Sequence, residues 1–251
     1  MKNRWLWIIG VVVFVITALT HMPAALLYGW LKPHLAGIEI FGIDGRVGQG
    51  RAMGFSMNGR PVTEQLQWQL QPWWLPLGNF AAHIEGSGAA ELSGGARTAP
   101  GGRLRLSHFS VHGTVEALAG AVGMPLVPVI GIADLKLAKL GIAHGVPVSV
   151  EGTLDVQGLT WKFAANPIPL GNFRATATTD KDVVIAKIQS TGGPIDANGE
   201  MRVTPKDKTY DLDLKVRPKP EADSALRDLL QQIGPPDPQG NFLIRQHGTL
   251  P

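Results

Sequence analysis

Tyr210-Asp211-Leu212-Asp213-Leu214-Lys215-Val216-Arg217 is the stretch that decides the fold. Apolar residues occupy every second position, and charged residues stand between them. Period two is the pattern of a β-strand with one face buried and the other in water. Working outward, Arg103-Leu104-Arg105-Leu106 alternates in the same way. Val148 and Val150 lead into Thr153-Leu154-Asp155-Val156, and the run Val183 to Ile188 follows the turn-like Thr179-Asp180-Lys181-Asp182. Asn198-Gly199 and Asp44-Gly45 read as hairpin-turn dipeptides, and Gly48-Gln49-Gly50 as a bulge or hairpin. Strands this close in sequence, with no helix between neighbours, predict antiparallel meanders. The 31 glycines and 19 prolines among 251 residues fit many turns between short strands.

Two helices interrupt the strands. Ala222, Ala225, Leu226, Leu229, Leu230 and Ile233 fall on one helical face, and Gly234 followed by Pro235-Pro236 ends it. The other runs from about Thr114 to Val122, with Val115, Leu118, Ala119 and Val122 on one side. Thr114 is its N-cap, and Gly123 with Pro125 its stop.

The chain also repeats itself. Pro76-Leu77-Gly78-Asn79-Phe80 recurs as Pro169-Leu170-Gly171-Asn172-Phe173, with Trp68 aligned to Trp161 and Leu66 to Leu159. Each copy then meets a Gly-Gly pair, Gly94-Gly95 and Gly192-Gly193, and each ends in one of the two helices. This predicts a mainly β protein built from a duplicated antiparallel unit, each copy closing in a short amphipathic helix. The copies span 38–124 and 146–236, with a connecting strand or linker at 125–145 and a closing strand at 237–251. Trp68, Gly78 and Phe80, with Trp161, Gly171 and Phe173, read as structural markers of the repeat: a core Trp beside a turn with a special glycine. One-faced strands need a cover, which another sheet, the helices, a partner protein or a lipid chain could supply. Two sheets packed face to face and one long sheet around an apolar groove both satisfy the pattern.

The N-terminus predicts a membrane anchor. After the basic Met1-Lys2-Asn3-Arg4, no permanently charged residue occurs from Trp5 to Leu31. A bilayer core needs roughly 20 apolar residues in a helix. Residues 5–31 therefore read as a single transmembrane signal anchor, with 1–4 cytoplasmic and the bulk on the far side. Trp5, Trp7, Tyr28 and Trp30 resemble interfacial aromatic anchors. A cleaved signal peptide, with Ala18 and Thr20 before the cut, is the competing reading.

Residues that carry chemistry are scarce. Cysteine is absent, which excludes disulfides, thiolate catalysis and Cys-based zinc sites. The net charge of +3 is spread along the chain without a basic run, which argues against nucleic-acid binding. His108 and His112 are four apart, about 13 Å on a strand, too far to share a metal ion. Glu85-Gly86-Ser87-Gly88 is a Gly-rich turn rather than a nucleophile elbow. No catalytic residue, cofactor or metal is expected. Trp73-Trp74, between Pro72 and Pro76 in the first copy only, is the candidate contact for a partner or the membrane.

In its order of segments the chain resembles the type II secretion system protein N family. The resemblance rests on the Trp-rich anchor running into Pro23-Ala24-Ala25-Leu26-Leu27-Tyr28-Gly29-Trp30 and on Gly42-Ile43-Asp44-Gly45-Arg46-Val47-Gly48-Gln49-Gly50-Arg51-Ala52. It continues through Leu66-Gln67-Trp68-Gln69-Leu70-Gln71-Pro72, Gly192-Gly193-Pro194-Ile195 with Gly199, and Ile233-Gly234-Pro235-Pro236-Asp237 ahead of Gly240-Asn241-Phe242. It implies a non-enzymatic, single-pass inner-membrane protein with its bulk in the periplasm. Its partners would be other inner-membrane secretion subunits, and its task the export of folded proteins across the outer membrane. The alternative from the strand pattern is an envelope protein that binds lipid or another hydrophobic ligand in an open groove.

Overall fold

The computed structural model describes residues 10, 14, 16–34, 37–57, 59–77, 79–99, 103–121, 128–143, 146–162 and 166–249. A small antiparallel sheet is formed by β1 (Ile38–Phe41), β4 (Gly54–Met57) and β5 (Arg60–Thr63), in the order β1-β4-β5. The large sheet begins with β2 (Asp44–Gly45), β3 (Gln49–Ala52), β6 (Gln65–Leu70), β7 (Phe80–Ser87), β8 (Ala90–Ala99) and β9 (Arg103–Thr114). It continues with β10 (Val129–Ala143), β11 (Val146–Trp161), β12 (Ile168–Asp180) and β13 (Val183–Gly192), then β14 (Ile195–Thr204), β15 (Thr209–Pro218) and β16 (Phe242–Thr249). From β6 to β16 every strand pairs antiparallel with its neighbour in sequence, in one 13-stranded sheet that also holds β2 and β3.

The packing is therefore one open sheet rather than two sheets face to face. The segment 125–145 contributes a full strand, β10, bonded to both β9 and β11. The sheet runs through it unbroken, and no duplicated unit is set apart by the topology. The Cα atoms of β11 and β13 come within 8 Å of each other across β12. Two flat-sheet spacings would be about 9.5 Å, so the sheet bends there.

Alternation sorts the faces as the sequence predicts. Tyr210, Leu212, Leu214 and Val216 lie opposite Val203, Met201, Gly199 and Ala197 on one apolar face. Asp211, Asp213 and Arg217 stand in water on the other. Asn198-Gly199 is a correction: both residues lie inside β14, not at a turn. Gly199 is needed because β15 presses close, and an added Cβ would stand 2.7 Å from the Leu214 Cα. Close approach, not chain reversal, is what this glycine supplies. The true hairpin after Asp180 places Lys181 and Asp182 at φ of 45° and 70°, a pair of positive angles that suits the right-handed twist of the flanking strands.

Both helices form, and both sit at the same end of the meander, in the β9–β10 and β15–β16 connections. Val115–Ala121 starts where expected, since the Thr114 hydroxyl accepts from the Ala117 N–H at 3.2 Å. It packs on β10 and β5. Ser224–Gln231 buries Leu226 and Leu230 against Ile168, Ile195, Ala197, Val216 and Phe242. Its buried stripe is narrower than predicted, for Ala225 and Ile233 are exposed. Beyond it, Asp237 accepts from the Asn241 and Gln239 backbone N–H groups at 2.8 and 2.9 Å, a turn that launches β16. The Asn241 side chain and these backbone donors hold the Asp237 carboxyl below its usual 3.8.

Of the anchor expected over 5–31, residues 5–9, 11–13 and 15 lie outside those described. Within the described part, helix continues to His21 and breaks at Met22-Pro23, where proline offers no N–H. A separate helix, Ala24–Leu31, follows and lies against β2. Among the described residues no helix is long and apolar enough to cross a membrane.

Candidate interaction surfaces

Gln71-Pro72-Trp73-Trp74 leaves β6 at the end of the sheet opposite the two helices. Proline and bulky neighbours turn the chain into a 3-10 helix, Pro72–Leu77, before β7 begins. The two tryptophans part company there. Trp73 is 68% exposed. Trp74 is half-buried, and the Arg97 guanidinium lies 4.0 Å from its ring centroid. That cation–π contact is worth about 0.5–1 kcal/mol at such a site, so Trp74 fastens the turn while Trp73 is left free to touch something else. Phe80, at the start of β7, is 53% exposed beside them.

This end is also where the N-terminal segment arrives. The Gly48 and Val47 N–H groups donate to the carbonyls of Thr20 and Met22, each at 2.9 Å, and the Leu70 N–H donates to the Gly48 carbonyl at 2.7 Å. The Trp73 turn thus starts from the strand bonded to the β2–β3 turn that holds the incoming chain.

The repeat markers occupy unlike settings. Trp68 is half-buried on β6, and its indole N–H donates to the Val47 carbonyl at 3.2 Å, tying β6 to the β2–β3 turn. Trp161 closes β11 and packs with Phe173 against the core around Leu226. The first Pro-Leu-Gly-Asn-Phe straddles the 3-10 turn, with Gly78 outside the described residues, whereas the second lies within β12. Gly171 there has a φ of +108°. The Asn172 side chain accepts from the Gly158 N–H at 2.8 Å, filling a bulge in β11.

The polar face carries a feature that periodicity alone does not reveal. Opposite charges sit directly across the register: Asp155 with Arg174, Asp196 with Arg217 at 3.4 Å, Glu151 with Lys139 at 3.7 Å and Asp213 with Arg245 at 3.5 Å. Asp211 likewise meets His247 at 2.6 Å and Asp134 meets His112 at 2.5 Å. Exposed pairs of this kind are individually weak, since water and salt screen them. Together they favour one register over a slipped one, where like charges would meet. The alternating carboxylates were the signal, but a partner can be named only once register is known.

His112 and His108 do not act together. His108 takes a φ of 49° at an irregularity in β9, and His112 belongs to Asp134. Among the described residues no three His, Asp or Glu side chains converge as a metal site. The Asp134 hydrogen bond, followed by its charge, raises the His112 pKa above 6.5. The pair's stabilisation is therefore complete below the unfolded value and disappears as pH rises through the folded one. In an NMR titration the His112 ring should show a midpoint above 6.5, and Asp134→Asn should bring it back. A midpoint indifferent to that change would refute the pairing in solution.

Comparison with known proteins agrees with the arrangement of segments. The family model described as Type II secretion system (T2SS), protein N matches residues 36–245. A protein of Aeromonas hydrophila called Type II secretion system protein N is 23% identical over 244 residues, covering 92% of each chain. No solved structure matches.

Proposed function

The chain belongs to the type II secretion system protein N family, and from that premise we propose that it is a non-enzymatic inner-membrane component acting through protein contacts. In this reading residues 1–4 are cytoplasmic, 5–31 hold the chain in the inner membrane, and the β-sheet stands in the periplasm. The anchor raises the effective concentration of the sheet near other membrane-bound secretion subunits. The observation that carries the reading is the exposed Trp73, set at the sheet end where Thr20 and Met22 dock. An exposed indole on a stiff turn next to the anchor is well placed to touch a neighbouring subunit or the bilayer surface. We further propose that 38–124 and 146–236 arose by duplication, joined by 125–145 and closed by 237–251. The shared Pro-Leu-Gly-Asn-Phe and the helix ending each copy support this.

Crosslinking in membranes followed by isolation of the chain should recover other inner-membrane secretion subunits. Trp73→Ala should cut that recovery severalfold while leaving circular dichroism unchanged. Recovery of none would count against the proposal. Acyl chains extracted from the purified protein, in place of subunits, would overturn it.

A further inference from the structure

An edge strand leaves alternate N–H and C=O groups unpaired, and proteins guard such edges by shortness, proline or a covering segment. Here most edges are guarded. β2 has two residues, and the turn beside it is held by Thr20 and Met22. On β1 the Ile40 N–H donates to the Tyr28 hydroxyl at 3.0 Å. β5 contains Pro61 and packs against the helix Val115–Ala121. β16 differs. It is eight residues long, has no proline, and pairs with β15 along one side. The loop Ile233–Asp237 reaches Phe242 and Leu243, so among the described residues Ile244–Thr249 forms an open edge.

Side chains on this edge specify what can join it. On the apolar face Phe242 and Ile244 continue the core row, opposite Val216 and Leu214. On the polar face Arg245 and His247 are the outermost row, with their anions Asp213 and Asp211 one strand further in. The edge thus ends on the Arg245 guanidinium, with the His247 ring beside it. We propose that it accepts an extended segment of another protein in which apolar and acidic residues alternate. The inference rests on the reading that the domain works by protein contacts. Backbone bonds would supply affinity, and the alternating side chains the selection.

A second copy of this chain is the wrong occupant. Antiparallel pairing of two β16 strands, faces aligned, places Arg245 and His247 opposite or diagonal to their own kind, and like charges so placed are destabilising. A one-residue slip avoids this only by turning Ile244 to the polar side.

The test uses the detergent-solubilised full chain and two fluorescent peptides, one of alternating Val and Glu and one of alternating Val and Lys. The Glu peptide should bind about threefold more tightly, in keeping with a favourable cross-strand charge pair at Arg245. A central proline in that peptide should abolish binding. Arg245→Glu with His247→Glu should reverse the preference, Arg245→Gln should weaken it, and Arg245→Lys should retain it, all with unchanged circular dichroism. Equal binding of the two peptides, or binding that ignores the proline, overturns the proposal. So does a dimer that Arg245→Glu dissociates. Loss of peptide preference with secretion subunits still recovered by crosslinking defeats the edge assignment alone. Loss of both defeats the reading beneath it.

Discussion

Leu226→Ala should lower the unfolding free energy by about 3 kcal/mol, within the range for large-to-small changes in a packed core. Leu226 is 1% exposed on the inner face of the helix Ser224–Gln231, in one core cluster with Ile195, Val216 and Phe242 from three different strands. The other helix at this end, Val115–Ala121, packs on β10 and β5 instead, so no neighbouring layer fills the space left behind. The change removes transfer energy and leaves a void with few atoms able to collapse into it. Ile233→Ala is the matched control. It falls on the same predicted stripe, but its side chain is 48% exposed, and its loss should cost no more than about 0.5 kcal/mol. Urea transitions followed by circular dichroism measure both. Equal shifts in the two midpoints would show that the helix does not seat as described.

Gly171→Ala should be at least as damaging, by about 3 kcal/mol, and for a different reason. At φ +108° an L side chain is strained before any neighbour is considered. A Cβ there would also overlap the Gly192 carbonyl oxygen and stand 3.0 Å from the Gly193 Cα, and backbone atoms cannot rotate aside. The register slips at this point, between Asn172 and Phe173, because two glycine backbones lie against each other. Gly158→Ala separates the two causes. Gly158 has φ +62° with nothing within 4 Å of the added carbon, so only the left-handed strain of about 1 kcal/mol remains. If the two variants lost the same stability, conformational strain alone would explain Gly171 and the close approach of β12 and β13 would be wrong. Gly193→Ala should resemble Gly171→Ala, and the double variant should fall short of the sum, since the sites share one contact.

These two sites were unequally legible in the sequence. Leu226 belonged to a plain 3.6-residue stripe ending in Gly-Pro-Pro, so both the helix and its inward face could be read locally. Gly171 was marked by repetition, but its partner Gly193 lies on the next strand, and nothing local says that the two backbones touch. Trp73 and Trp74 illustrate the same limit. Adjacent and chemically alike, they were candidates together, and only the position of Arg97 on β8 makes one a fastener and the other a free surface. Asn198-Gly199 misled because a hairpin dipeptide and a close-packed strand glycine share one composition; the deciding atom, the Leu214 Cα, belongs to another strand.

Taken alone, the order of amino acids determined several properties that depend on neighbours within a few positions. Those are the two-residue alternation of the strands, the start and cap of the helix after Thr114, the stop near Gly234-Pro235, and the absence of thiol chemistry. Tertiary structure decided whatever depends on which strand lies beside which. It set one open sheet in place of two packed layers, cations facing particular carboxylates, and a last strand whose outer edge is open among the described residues. The division follows from the physics: alternation tells each side chain which face it occupies, but hydrogen bonding between distant strands sets the register, and register alone decides what that side chain meets.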